Sequence, residues 1–240
     1  MVHGRTAFLG GTIEMPFYIN GNNPEDYGAM SLLSYTVSGS SITNTIFQGR
    51  NRSSYRLLAA VYGQKAISFS LQYKGKTYRE ASLLRSTIES WMWGKVELFL
   101  PDGFYYTATL QSIGDGSPLG QENNMVLITV EYQFSGIQHD AMVTTAGESF
   151  INPGTLPYAD CICSVTASAA TDSYVLAGCT FQDVTQGESL VVDGINGRVL
   201  RNGAPAPGNV TFTSFPQVVP GENSFTAADP VTVQYYPSYL

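Results

Sequence analysis

The chain has 240 residues, 43% hydrophobic and only 13% charged, with 24 Gly and a formal charge of −7; against a usual domain length of roughly 150 residues that favours two modest domains over one large one, with about half the usual charge density. Ten Lys or Arg stand against eleven Asp or Glu over residues 1–145 and two against eight over 146–240, with no basic run, so the electrostatic footprint of a nucleic-acid binder is missing. No stretch approaches the ~18 apolar residues of a membrane span, and MVHGRTAFLGGTIEMPFYING at the start lacks a signal peptide's apolar core, so a chain kept in the cytoplasm of its origin is expected.

Fifteen Tyr and twelve Phe suit pleated, half-buried surfaces, and the chain reads mostly as strands. FYIN (17–20), LLSYTV (32–37), SITNTIF (41–47) and YRLLAAVY (55–62) lead into AISFSLQY (66–73), where period two puts Ile67, Phe69, Leu71 and Tyr73 on one face. The pattern then changes to a single helix over about 78–93. Thr77 and Glu80 are spaced as a capping box, Leu84, Ile88, Trp91 and Met92 follow at helical spacing, and Gly94 stands where a left-handed cap would. Its apolar stripe reads as a face packed on a sheet rather than as a ligand groove.

KVELFLPDGFYYTATLQSI (95–113) is a hairpin joined through Pro101-Asp102-Gly103, and MVLITVEYQF (125–134) is another long strand. Between them GDGSPLGQENN (114–124) reads as a solvent loop; it holds a Gly-x-Gly but no P-loop lysine and no following helix. Residues 137–157 lose strand patterning and gain Gly and Pro, as linkers do. His139 and Asp140 lie there, but adjacent residues do not align as a catalytic dyad, and no G-x-S-x-G elbow is present. No catalytic, cofactor-binding or metal-binding residue is assigned.

From ADCICSVTASA onward, about seven short runs at regular spacing argue an antiparallel sandwich or jelly roll. Cys161 and Cys163, two apart, share one strand face, where a disulfide would be badly strained. With Cys179 they read as small apolar side chains, because His3 and His139 are the chain's only histidines and too few to complete a metal site. Asn51-Arg52-Ser53 and Asn209-Val210-Thr211 match the glycosylation pattern, which carries no weight without secretion. In GESLVVDGINGRVLRNGAPA (187–206), Gly194–Gly197 and Asn202-Gly203 make two sharp turns, Asn and Gly being tolerant of positive φ.

SLVVDGINGRVLRNG, followed by FPQVVPGENSFTA and VTVQYYPSYL, resembles the C-terminal galectin-like sandwich of bacteriophage distal tail proteins. The all-β N-terminal part, with one helix ending in Trp91-Met92-Trp93, is similar to the ring-forming domain of that family, so the resemblance covers nearly the whole chain. It implies a mainly β protein with a ring-forming, tail-tube-like β domain with one helix over 1–145 and a galectin-like β-sandwich over 146–240. It further implies a structural protein of the virion's tail tip, not an enzyme and without a cofactor, assembled in the host cytoplasm. Six copies would form a hub ring joining the tail tube protein to the host-facing tip protein, with a receptor-binding protein as a further neighbour, DNA only passing through the channel, and no membrane contact. At 240 residues it looks like the short form, without inserted carbohydrate-binding modules.

Two other readings stand beside this one. The sandwich could serve a carbohydrate-binding adhesin, with Tyr235, Tyr236 and Tyr239 as an exposed platform, or the chain could be a tail tube subunit with an added outer domain. For the hub, the nearly neutral residues 1–145 are expected to build the ring, with AISFSLQY and MVLITVEYQF offering strand edges to neighbours, while the acidic sandwich stays outside. The channel wall is expected to be neutral or acidic, with Arg50, Arg52 and Arg56 at subunit contacts or outside, since cations in the lumen would hold phosphates.

Overall fold

The structure is a computed structural model and describes residues 16–50, 53–122, 125–147, 149–206, 208 and 210–240. His3, Asn51, Arg52 and Asn209 lie outside the described residues. The chain divides into two compact units, residues 1–138 with Leu240, and residues 139–239. Among the described residues it is mostly β with one α-helix, and that helix is neither long nor apolar enough to cross a membrane.

The first unit is built on one antiparallel sheet. Its strands are β1 (Tyr18–Ile19), β2 (Ala29–Val37), β5 (Lys65–Gly75), β6 (Lys95–Phe99), β7 (Tyr105–Ile113), β8 (Ser117–Glu122) and β9 (Met125–His139), with β3 (Ile42–Gln48) and β4 (Tyr55–Tyr62) forming a separate two-stranded ribbon. The sheet runs β1-β6-β7-β9-β5-β2, and β8 adds to β9. Strand alternation decides which face is covered. Ile67, Phe69, Leu71 and Tyr73 of β5 meet Val130, Tyr132 and Phe134 of β9 on the buried face, and Phe17, Phe69 and Phe134 pack ring to ring.

Helix α1 (Tyr78–Glu89) packs on β5 in this unit, burying Ala81 and Ile88, with Met92 buried in the 3-10 turn that follows. Thr77 accepts from the Glu80 amide at 3.2 Å as its spacing predicts, while the Glu80 carboxylate reaches one residue past the cap, to the Lys76 amide at 2.8 Å. Gly94, at φ 77°, ends the segment. A polar chain also ties the helix to the sheet. Tyr73 donates to the Tyr132 hydroxyl (2.5 Å), Tyr132 donates to Glu89 (3.0 Å), and Arg85 donates to the same Glu89 oxygen (2.6 Å). Burial holds the Tyr73 and Tyr132 hydroxyls well above the usual phenol range, so they stay neutral donors.

Two expectations need correction here. Residues 114–124 are not simply a loop, since Ser117–Glu122 pair with β9, Ser117 opposite Thr129 and Glu122 opposite Met125. A strand bonded on one side only can contain Pro118, which is why its composition reads as a turn. Residues 137–157 are not a bare linker either. β9 continues to His139, β10 (Val143–Ala146) pairs with β21 (Thr232–Tyr235), and β11 (Ser149–Asn152) pairs with β20 (Gly221–Ser224). Those pairings draw residues 139–146 into the second unit.

The second unit is a sandwich. One sheet runs β10-β21-β12-β15-β16-β17, with β12 (Ala159–Thr166), β15 (Ser189–Asp193), β16 (Arg198–Arg201) and β17 (Ala204–Pro205), and β19 (Gln217–Val218) adds to β12. The other is β13 (Thr171–Leu176), β14 (Cys179–Val184) and β18 (Val210–Phe212). Cys161, Cys163, Leu190, Val192 and Val233 of the first sheet form one core with Tyr174, Leu176 and Phe181 of the second.

The two Asn-Gly pairs are hairpin turns. Asn202 (φ 52°) and Gly203 (φ 78°) alone connect Arg201 to its cross-strand partner Ala204, the geometry in which two positive φ values match the strand twist. Upstream, the buried Asp193 carboxylate accepts from the Asn196 amide (2.9 Å), the Asn196 side chain (2.8 Å) and Arg198 (2.9 Å). Arg201 forks onto Glu188 and the carbonyls of Gln182 and Asp183, stapling the end of β14 to β16.

These contacts set an acid response. Desolvation alone would raise Asp193, but its bonds from Asn196 and Arg198 outweigh that and hold it below the usual carboxylate range. Glu188 is lowered by Arg201, and Asp229 by its bonds with Ser168. A depressed folded pKa stabilises fully above the unfolded value of about 4, and that stability is lost as pH falls through the folded value. The second unit is therefore expected to keep one melting temperature from pH 7 to about 5 and to melt earlier below about pH 4. Circular dichroism melts of the wild type and Asp193→Asn check this; the substitution should flatten part of the acid slope.

Candidate assembly surfaces

Among the described residues no three His, Cys, Asp or Glu side chains converge as metal ligands would. Cys161, Cys163 and Cys179 are reduced and buried, and their place is the sandwich core. Cys163's hydrogen bond and burial push the Cys161 thiol up, and burial pushes Cys179 up, so both stay protonated and unreactive. His139 is buried against the Tyr236 ring, centroids 4.7 Å apart, and its Nδ1 lies 2.8 Å from the Asp140 carbonyl rather than from the carboxylate. The Asp140 carboxylate accepts instead from Tyr239, whose hydroxyl is pushed up to about 12 by burial and by that bond.

The terminal tyrosines do not form a platform. Tyr235 is 2% exposed, packs beside Phe150, and donates to the Ile151 carbonyl at 3.3 Å. Tyr236 and Tyr239 are half-buried, Tyr236 lying against the His139 ring and Tyr239 tied to Asp140, so both are engaged by residues of their own unit. A cleft of about 300 Å³ lies between residues 168–175 and 226–229. Its carboxylate, Asp229, already accepts from the Ser168 amide (3.2 Å) and from Tyr174 (3.0 Å). Neither place offers a free acid, base or nucleophile.

Two surfaces of the first unit stand out instead. One is the sheet face opposite the core, where Ser68, Ser70 and Gln72 of β5 stand beside Glu131 and Gln133 of β9 and Thr107 and Thr109 of β7. Hydroxyls and amides bond along it, Thr36 to Ser68 at 2.7 Å and Ser112 to Gln133 at 3.1 Å. Alternation accounts for this face, because the core residues Ile67, Phe69, Leu71 and Tyr73 of β5 are each followed by a polar one, Ser68, Ser70, Gln72 and Lys74. Its exposed charges include Glu97, Glu131 and Lys95.

The other is the β3–β4 ribbon. It is inserted between β2 and β5, which themselves pair, Val37 opposite Ile67. Two bonds between Ser38 and Ala66 (2.9 and 2.8 Å) and one from Gly63 to Ser41 (2.6 Å) fix its root. Beyond the root it pairs only with itself, from Ile42 opposite Tyr62 to Gln48 opposite Tyr55. Seven residues at about 3.3 Å each carry it roughly 23 Å along β3. Ile42, Ile46, Phe47, Tyr55, Leu57, Leu58, Val61 and Tyr62 are all exposed on it. Sequence reasoning found both strands but expected free edges on AISFSLQY and MVLITVEYQF. Those are interior strands: β5 lies between β9 and β2, and β9 between β7 and β5. Arg50 and Arg56 lie at the far end of the ribbon and at the start of β4, both exposed.

No family profile and no curated protein matches the sequence. Solved structures do match the fold. The Dit protein of phage SPP1, described as a paradigm of the hub adsorption apparatus in phages infecting Gram-positive hosts, aligns over 93% of this chain and 98% of its own, with a TM-score of 0.69 at 11% identity. A chain of the phage P2 baseplate in its activated conformation with Ca aligns over 92% and 97%, with a TM-score of 0.54 at 9% identity. The same baseplate with Sr gives 91% and 97%, with a TM-score of 0.50 at 7% identity. At such identities the likeness is one of fold.

Proposed function

We propose that this chain is a structural hub protein of a bacteriophage tail tip. Six copies close into a ring between the tail tube and the host-facing tip protein, a receptor-binding protein is a further neighbour, and DNA passes through the centre. The observation that carries this reading is that the fold likeness runs through both units in one order, along nearly the full length of this chain and of the hub protein it matches. A likeness confined to a sandwich would not distinguish a hub from any other β protein.

The surfaces support the same reading. A channel wall should let phosphates slide rather than hold them, and a sheet face of Ser, Thr and Gln on which Glu97 and Glu131 offset Lys74 and Lys95 suits that role. The proteins that share its fold are a hub protein and baseplate chains, and the role proposed for this chain is likewise one of shape and contact rather than reaction. The adhesin reading loses support because Tyr235 lies in the core of the second unit, while the half-buried Tyr236 and Tyr239 are held against His139 and Asp140. A tube subunit remains the competitor, and one experiment separates the two. In negative-stain images of the purified full-length protein a hub gives single closed rings, whereas a tube subunit gives stacked rings of many layers.

A further inference from the structure

Among the described residues nothing outside the β3–β4 ribbon pairs with it beyond its root. Cross-strand partners share a face, so Ile42 with Tyr62 and Ile46 with Leu57 make one apolar stripe that ends at Tyr55, while Val61 and Phe47 occupy the opposite face. Exposure of the eight large apolar side chains runs from 39% at Tyr62 to 66% at Tyr55. At roughly 100 Å² apiece they offer about 800 Å² counted over both faces, so a partner that takes in the whole ribbon, and not one face of it, gains the share that one side brings to a standard interface. A bare two-stranded ribbon is marginal in water, and an apolar patch of this size marks a contact.

Charge identifies the partner. Residues 42–62 carry Arg50, Arg52 and Arg56 and no acid, whereas the rest of the chain carries nine Lys or Arg against nineteen Asp or Glu. Any copy of this chain is thus acidic outside its own ribbon and complementary to the ribbon of another. We propose that the ribbon is an assembly arm that lies on a second copy of this chain, outside that copy's own arm. Each copy gives one arm and receives one in a head-to-tail contact, which covers every arm once the circle closes. The arm rests on the hub reading and names the contact that reading needs.

The test uses the full-length chain with a photo-crosslinking phenylalanine in place of Phe47. Illumination is expected to give a covalent pair of chains, with the attachment mapping outside residues 42–62. In parallel, Ile46→Glu with Leu57→Glu should weaken assembly at least 100-fold and leave single chains by light scattering. Circular dichroism should stay unchanged, because both side chains are exposed in the isolated chain. If the wild type forms rings but Phe47 gives no pair and the double variant still assembles, the arm is wrong and the ring stands. If crosslinked pairs form without any closed ring, the arm stands and the hub reading fails. Crosslinking of a single chain to a DNA duplex or to phosphatidylserine vesicles, in place of another chain, overturns the arm, as does a wild type that stays single with no adduct.

Discussion

A Gly136→Val chain is expected to lose the cooperative unfolding transition of its first unit, although Val is the better strand former. Gly136 lies in β9 opposite Lys65, and β7 runs along the other side. A Cβ at Gly136 would lie 2.6 Å from the Ala108 Cβ and 2.8 Å from the Thr107 carbonyl oxygen. The obstruction is backbone of a central strand, so no side chain can swing away, and the cost falls at or above the ~3 kcal/mol upper end for overpacking. Gly103→Ala is the contrast. Its φ of 86° strains any L residue, but nothing lies within 4 Å of the new atom, so about 1 kcal/mol is expected. Trp91 and Trp93 are the chain's two tryptophans and both belong to the first unit, so their fluorescence during urea unfolding reads that unit alone. A Gly136→Val midpoint close to that of the wild type would contradict the packing described.

Cut between Gln138 and His139, the chain is expected to yield one fragment that assembles and one that stays single. Residues 1–138 carry ten Lys or Arg and ten Asp or Glu, so copies approach without net repulsion, and they carry the ribbon. Residues 139–240 carry two against nine, a net of −7 per copy, which opposes close packing within a Debye length of about 10 Å. The cut must fall there. A second fragment begun at residue 148 would lose β10 and its four pairs to β21, together with His139 beside Tyr236 and Asp140 bonded to Tyr239. The first fragment gives up Leu240, and with it the 2.8 Å bond from the buried Lys65 ammonium to the Leu240 carbonyl. Lys65→Met in the fragment removes that cost. Light-scattering masses of the two fragments check the division of labour. An assembling second fragment beside a single first one would contradict it.

Local patterns were the legible part of this chain. The alternation of β5, the Thr77–Glu80 cap and the Asn202-Gly203 turn depend on residues within a few positions of one another, and each stands where its pattern predicts. Strands whose own composition carries no alternating pattern were not legible. β8, β10 and β11 are short or polar, and their pairs on β9, β21 and β20 make them strands, not their own composition. The tyrosines of residues 235–239 divide between core and surface by contacts with Ile151, His139 and Asp140, which lie about a hundred residues or so upstream. Least legible was the arm. SITNTIF and YRLLAAVY read as ordinary half-buried strands, and only the topology separates them from the sheet and leaves their apolar residues uncovered.

The hub reading is tested most directly by the mass and symmetry of the purified full-length protein, taken together from light scattering and negative-stain images. The account predicts one species at six times the 26.0 kDa chain mass, seen end-on as a closed ring with six-fold symmetry and an open centre. A protein that stays single at every concentration, or that grows into long stacked tubes, would contradict it.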